Sequence, residues 1–212
     1  MAYRVVVIGT SWGGLHALRC ICAALPPAFP VPVLAVQHRH RDSDRLLEQL
    51  LQDTSAIPVS EAEDKEPMLP GHLYIAPPDY HLLVEDGYFE LSTDEPVRFS
   101  RPSIDVAFAS AAASLGAGVV GVVLTGANAD GAEGLRRIVQ RGGRAIVQDP
   151  AGAESAIMPE AARRAVPGAE VLPLERIGPR LVEIVTSESS VQRARRGWAE
   201  RAEAAERPEE RP

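Results

Sequence analysis

The chain has 212 residues, 45% hydrophobic and 24% charged but 5% aromatic, the make-up of a soluble globular domain with an aliphatic core. Its net charge of −7 argues against nucleic-acid binding over the whole surface, and no apolar run approaches the roughly 20 residues that cross a bilayer. The two cysteines, Cys20 and Cys22, fall on one predicted helix with side chains pointing in different directions. They are expected to be small core or half-buried residues rather than a disulfide, which fits a cytoplasmic setting.

In chain order, Arg4-Val-Val-Val-Ile8 reads as a strand buried on both faces, because it shows no polar alternation. No charged leader or cleavage site precedes it. The strand is expected to stop at Gly9, and a helix to begin around Trp12 to Gly14 with Leu15, Leu18, Ile21 and Cys22 in phase. A proline-rich connection follows, then a strand over 31–36 that ends at Gln37-His38-Arg39-His40, parallel to the first. Residues 45–52 carry a leucine stripe and form a helix, with Ser43 or Asp44 as its cap.

The middle is different. Five prolines punctuate residues 57–91, and Asp86-Gly87 joins two apolar runs as in a hairpin. It reads as a small antiparallel excursion inserted in, or attached at the edge of, a parallel sheet. The rhythm then resumes: helix 103–115 capped by Ser103, strand 119–124, helix 132–140 closed by Gly142-Gly143, strand 144–148, helix 154–166, strand 170–173 and helix 174–186. Such alternation predicts a doubly wound, mostly parallel α/β sheet with helices on both faces. Residues 1–186 form the domain, and 187–212, rich in Arg, Glu and Ala, a charged tail, flexible or loosely helical.

In an open parallel sheet, function gathers beyond the carboxyl ends of the strands. Ser11, His38 and Asp130 all fall there. Gly9-Thr10-Ser11-Trp12-Gly13 satisfies the G-x-S-x-G elbow, which lifts a hydroxyl toward the free N–H groups of a helix start. A serine hydroxyl needs a base, imidazole suits the task, and a carboxylate fixes its tautomer. Other readings remain open on these letters. The glycine turn serves equally to bind a phosphate, Asp130-Gly131 to make a turn, and His38-Arg39-His40-Arg41-Asp42 to place metal ligands, although no histidine follows His81 to complete a metal shell. Asp105 is a second acidic candidate on a predicted helix, where solvation suffices to explain it.

Ile8-Gly-Thr-Ser11-Trp-Gly-Gly14, Val36-Gln-His38, Leu69-Pro-Gly-His-Leu-Tyr-Ile-Ala-Pro77, Arg101-Pro-Ser-Ile-Asp-Val106 and Leu124-Thr-Gly-Ala-Asn-Ala-Asp130-Gly-Ala132 together resemble the catalytic domain of CheB-type protein-glutamate methylesterases. The likeness covers roughly residues 4–185, including Met158-Pro159. It implies a cofactor-free, metal-independent serine hydrolase that removes methyl groups from glutamyl methyl esters on chemoreceptors and, in some members, deamidates glutamine. Ser11 matches the nucleophile, His38 the base and Asp130 its orienting carboxylate. By position, the backbone N–H groups of Trp12 and Ala127 are candidates for the oxyanion site.

The family commonly carries threonine and methionine where this chain has Trp12 and Ala127, so main-chain donors survive while the walls of the substrate site change. No N-terminal receiver domain is expected, which leaves regulation open to a separate receiver-domain protein. Arg39, Arg41 and Arg101 lie beside the motifs and are candidates for holding an acidic receptor segment. The partner implied is a methylated chemoreceptor or similar signalling protein, with neither nucleic acid nor membrane insertion. The competing reading is a catalytically weak descendant acting as a binding module in a signalling complex.

Overall fold

The structure, a computed structural model, describes residues 4–40 and 46–187. The strands are β1 (Val5–Thr10), β2 (Val33–Gln37), β3 (Val59–Glu61), β4 (Leu73–Ile75), β5 (His81–Val84), β6 (Phe89–Ser92), β7 (Val119–Val123), β8 (Arg144–Gln148) and β9 (Glu170–Leu172). The helices are α1 (Gly14–Ala24), α2 (Leu46–Gln52), α3 (Ile104–Leu115), α4 (Ala132–Gln140), α5 (Ile157–Ala165) and α6 (Leu174–Thr186). Seven strands form one sheet in the order β3-β4-β2-β1-β7-β8-β9, and every neighbouring pair in it is parallel.

Alternation along β1 divides the core into two layers, because successive strand side chains face opposite ways. Val5 and Val7 join Leu34, Val36 and Val123 against Phe108 of α3, Leu135 of α4 and Met158 of α5. Val6 and Ile8 join Ala35 and Val122 against Leu18 of α1, Leu51 of α2 and Leu181 of α6. From β1 the chain winds outward through β2, then returns to place β7 on β1's other side. The crevice beyond the carboxyl ends of β1 and β7 is therefore the point where the winding reverses, the usual ligand position in such sheets.

The doubly wound α/β class holds, with one correction in the middle. β4, over residues expected to belong to an antiparallel excursion, pairs parallel with β2 and β3 inside the main sheet. Among the strands of the described residues, the antiparallel pair is β5 with β6. They lie over α3, where Ser110 Oγ accepts the Val84 N–H at 3.0 Å, rather than at the sheet's edge. A three-residue strand carries no hydrophobic period that could name its partner, so the parallel pairing of β3 and β4 is set by the sheet they join and not by their own residues.

β1 also runs one residue past Gly9, and α5 starts at Ile157 because Ser155 is tied to Gly126. Cys22 is buried and Cys20 half-buried, both as free thiols; burial pushes the Cys22 thiol up to about 12, which makes it inert. No helix among the described residues is long and apolar enough to cross a membrane. The expected cap at Ser43 or Asp44 and nearly all of the expected tail lie outside the described residues.

Candidate active site

Ser11 and His38 are each the first residue after a paired register, Thr10 with Gln37, on adjacent parallel strands. The His38 N–H donates to Thr10 O at 3.1 Å. Neighbouring strands stand about 4.8 Å apart, so the two side chains leave the sheet edge side by side. The Ser11 turn is held from several directions. Its N–H donates to Thr125 O at 3.0 Å, and its carbonyl accepts from Gly14 N at 2.9 Å and from Gln37 Nε2 at 2.9 Å.

The third sequence candidate meets the second directly: His38 Nε2 lies 2.8 Å from Asp130 Oδ2. The His38 side chain is 12% exposed and that of Asp130 is fully buried. Four further donors converge on this carboxylate. Ile104 N–H reaches Oδ2 at 2.7 Å, while Ser103 Oγ, Asp105 N–H and Gly131 N–H reach Oδ1 at 3.0, 3.0 and 3.1 Å. Three of the four belong to Ser103, Ile104 and Asp105, so Asp130 occupies the anion position at the start of α3. Burial alone raises a carboxyl's pKa. Here the His38 hydrogen bond and the N–H groups of Asp105 and Ile104 outweigh it and hold Asp130 below the ordinary aspartate range.

Asn128, which the sequence reading passed over, completes the arrangement. Its Oδ1 accepts the Asp130 N–H at 3.0 Å in an Asx turn. Its Nδ2 therefore faces the ring, 3.3 Å from His38 Nδ1. An amide nitrogen only donates, so Nδ1 is the unprotonated nitrogen and Nε2–H donates to Asp130. Among the described residues, Ser11 Oγ is bonded to neither ring nitrogen; in unliganded sites such contacts are often long and tighten with substrate. The signal for Asn128 was its Asn-x-Asp spacing, which carries no direction without the fold.

Trp12 and Ala127 bear main-chain N–H groups that meet no acceptor among the described residues. Each N–H shares a peptide plane with a clamped carbonyl. Ser11 O is held as above, and Gly126 O accepts from Met158 N at 3.0 Å and Ser155 Oγ at 2.9 Å. A trans peptide points its N–H opposite to its C=O, so both donors are fixed in direction. The approach of the two loops needs glycine at 126. A Cβ there would stand 2.5 Å from Met158 Cε and 3.0 Å from Ser11 Cβ.

Two cavities flank the centre. One of about 530 Å³ is lined by Ser11, Gly14, Leu15, Gln37, Leu50 and Glu154. The other, about 600 Å³, is lined by His38, His40, Asp79, Phe99 and Arg101. Arg39 borders both. Its Nη2 is bonded to Glu61 at 2.5 Å and to Ala76 O at 3.1 Å, while its Nε and Nη1 are buried and have no partner among the described residues. Arg101 clamps its own loop, through Nε and Nη2 to Asp79 and Nη1 to the carbonyls of Thr93 and Asp94. Both arginines thus stand beside the site with carboxylates already bound. Arg41, the third arginine singled out, lies outside the described residues.

Two other expectations change. Asp105 is not a solvated helix residue: its side chain is 12% exposed and Oδ1 accepts the Gly134 N–H at 2.7 Å, joining α3 to α4. Burial, reinforced by the Asp130 charge, pushes its pKa up. The H-x-H-x-D reading loses His38, whose two ring nitrogens face Asp130 and Asn128. No group of three or more potential metal-ligating side chains is assembled among the described residues.

The CheB methylesterase family model matches residues 6–181. A Leptospira interrogans chain with the provisional name protein-glutamate methylesterase/protein-glutamine glutaminase is 47% identical over 178 residues, 84% of this chain and 92% of that one. Protein-glutamate methylesterase FrzG of Myxococcus xanthus is 41% identical over 184 residues, 86% of this chain but 55% of the relative. The crystal structure of the Thermotoga maritima CheB methylesterase catalytic domain superposes with a TM-score of 0.83 at 34% identity, over 87% of this chain and all of that one. With its sheet order and the residues gathered at its carboxyl edge, the chain belongs to the CheB methylesterase family.

Proposed function

We propose that this chain is a serine hydrolase that demethylates glutamate methyl esters on a chemoreceptor-like signalling protein in the cytoplasm, with Ser11 as nucleophile, His38 as general base and Asp130 as its orienting carboxylate. The observation that carries this reading is the imidazole gripped at Nε2 by a buried carboxylate, which leaves Nδ1 as the basic atom at the edge where Ser11 emerges. Ser11 Oγ attacks the ester carbonyl as its proton passes to Nδ1, and Asn128 yields that nitrogen. The oxyanion rests on the N–H groups of Trp12 and Ala127. Collapse expels the methoxy group, which takes the proton from Nδ1 and leaves as methanol. Water then attacks the glutamyl-serine ester, giving its proton to Nδ1; the freed carboxylate departs and Ser11 is reprotonated. The same steps on a glutamine side chain release ammonia. No cofactor enters either sequence.

Methanol release from a methyl-esterified receptor peptide tests the reading. Wild type is expected to release methanol at the same rate with and without chelator. Absence of release, or its loss in chelator, would count against the proposed chemistry. Arg39 and Arg101, at the cavity walls, are proposed to take up an acidic partner in exchange for the carboxylates of Glu61 and Asp79 that they bind here. The Arg39→Ala, Arg101→Ala double variant is expected to raise KM about 3- to 10-fold with kcat little changed. An unaltered KM would remove that role.

A further inference from the structure

Gln37 is a half-buried side chain at the end of β2 with an unusual set of partners. Its Nε2 donates to both Ser11 O and His38 O, each at 2.9 Å. One carboxamide nitrogen therefore straps the turn after β1 to the turn after β2, the two turns that carry the proposed nucleophile and base. Because both partners are carbonyls, the amide can face them only with its nitrogen. Its Oε1 is turned inward, buried and without a partner among the described residues. That orientation requires glycine at 14, where an added Cβ would lie 1.9 Å from Oε1. An unsatisfied buried acceptor is a cost that folds normally avoid, and here it is the consequence of holding the nitrogen on the two turns.

We infer that Gln37 is a positioning residue for the proposed acyl transfer: by anchoring Ser11 O it fixes the peptide plane whose N–H, that of Trp12, meets the oxyanion, and by anchoring His38 O it holds the base in register with Ser11. This rests on the serine chemistry proposed above. The Gly14 N–H also binds Ser11 O, so loss of Gln37 loosens the plane without freeing it, and His38 keeps its Asp130 contact. The effect should fall on the reaction step more than on binding.

The test measures the rate of Ser11 acylation by a fluorophosphonate probe, which needs no knowledge of the natural substrate, in wild type, Gln37→Met and Gln37→Glu. Gln37→Met fills similar volume without a donor and is expected to slow acylation about 10- to 100-fold, below the loss of an oxyanion donor outright. Thermal denaturation and circular dichroism identify a variant that has failed to fold. Gln37→Glu places a carboxylate against two carbonyls when ionised and a donor when protonated. Its rate relative to wild type should therefore climb as pH falls, whereas that of Gln37→Met stays flat. The other titratable groups near position 37, His16, Arg39 and Glu154 lining that cavity and the adjoining His38, are present in all three proteins, and Gln37→Met is the control for their own titration. A folded Gln37→Met within twofold of wild type, or two ratios with the same pH dependence, would overturn the inference. Failure of the probe to label wild-type Ser11 would instead overturn the serine chemistry beneath it.

Discussion

Ser11→Ala is expected to lower methanol release about 10⁴- to 10⁶-fold while leaving the fold intact. The magnitude is that of removing the nucleophile from a serine hydrolase, about 5 to 8 kcal/mol of barrier. Stability should be unaffected because Ser11 is held in place by its main chain: its N–H binds Thr125 O, and its carbonyl binds Gly14 N and Gln37 Nε2. Alanine keeps all three contacts. Substitutions of this kind, away from buried networks, usually change stability by less than about 0.5 kcal/mol. KM should hold as well, since Oγ is asked to act only as the reaction proceeds. Residual turnover would come from Trp12 and Ala127, whose N–H groups remain in place to polarise the ester. Steady-state methanol release beside a thermal melt checks both halves; activity within about tenfold of wild type would show that another group performs the attack.

Asp130→Asn is expected to cost about 10³- to 10⁴-fold in kcat, and stability as well. Five donors converge on the Asp130 carboxylate: Ser103 Oγ, His38 Nε2 and the N–H groups of Ile104, Asp105 and Gly131. An amide offers one acceptor oxygen, so its NH₂ must confront one set of these donors. If it confronts His38, the ring is driven to the tautomer with Nδ1 protonated, and the base at the Ser11 edge is lost. If it takes the Oδ1 position it confronts the Asp105 and Gly131 N–H groups, and in either orientation the first turn of α3 loses its anion. Breaking so buried a network costs about 3 to 5 kcal/mol.

The pH dependence has a definite sign. The folded carboxyl lies below the ordinary range, so it binds its proton less readily than in the unfolded chain and contributes stability above the unfolded value near about 4. That contribution fades as pH falls from there through the folded value. The stability gap between wild type and Asp130→Asn should be full at neutral pH and shrink in that acidic window. Chemical denaturation at neutral and acidic pH measures it; a gap that widens toward acid would contradict the placement of the charge.

Strong local patterns were legible in the sequence alone. α4, β8 and α6 begin and end at the expected residues: Gly131 and Gly142-Gly143 bracket α4, Gly143 and Pro150 bracket β8, and Pro173 precedes α6. Ser103 was recognisable as the cap of α3, and it does accept the Val106 N–H at 3.4 Å. Its second bond, to Asp130, was not recognisable, since it depends on the return of β7 beside β1. Asp105 shows the same limit. A carboxylate on an amphipathic helix reads as solvated until α4 packs across it and Gly134 supplies an N–H.

Ser11, His38 and Asp130 were readable as neighbours because parallel sheets collect function at one edge. Asn128 and Gln37 were not, because a carboxamide's role is set by which of its two ends is engaged, and only the folded partners decide that.

The most direct test of the central claim is to treat the protein with a fluorophosphonate and map the adduct by mass spectrometry in wild type, Ser11→Ala and His38→Ala. The account requires one adduct, on Ser11, absent from Ser11→Ala and formed far more slowly in His38→Ala. Methanol release by a wild-type protein whose Ser11 stays unlabelled, or an adduct of equal rate without His38, would contradict it.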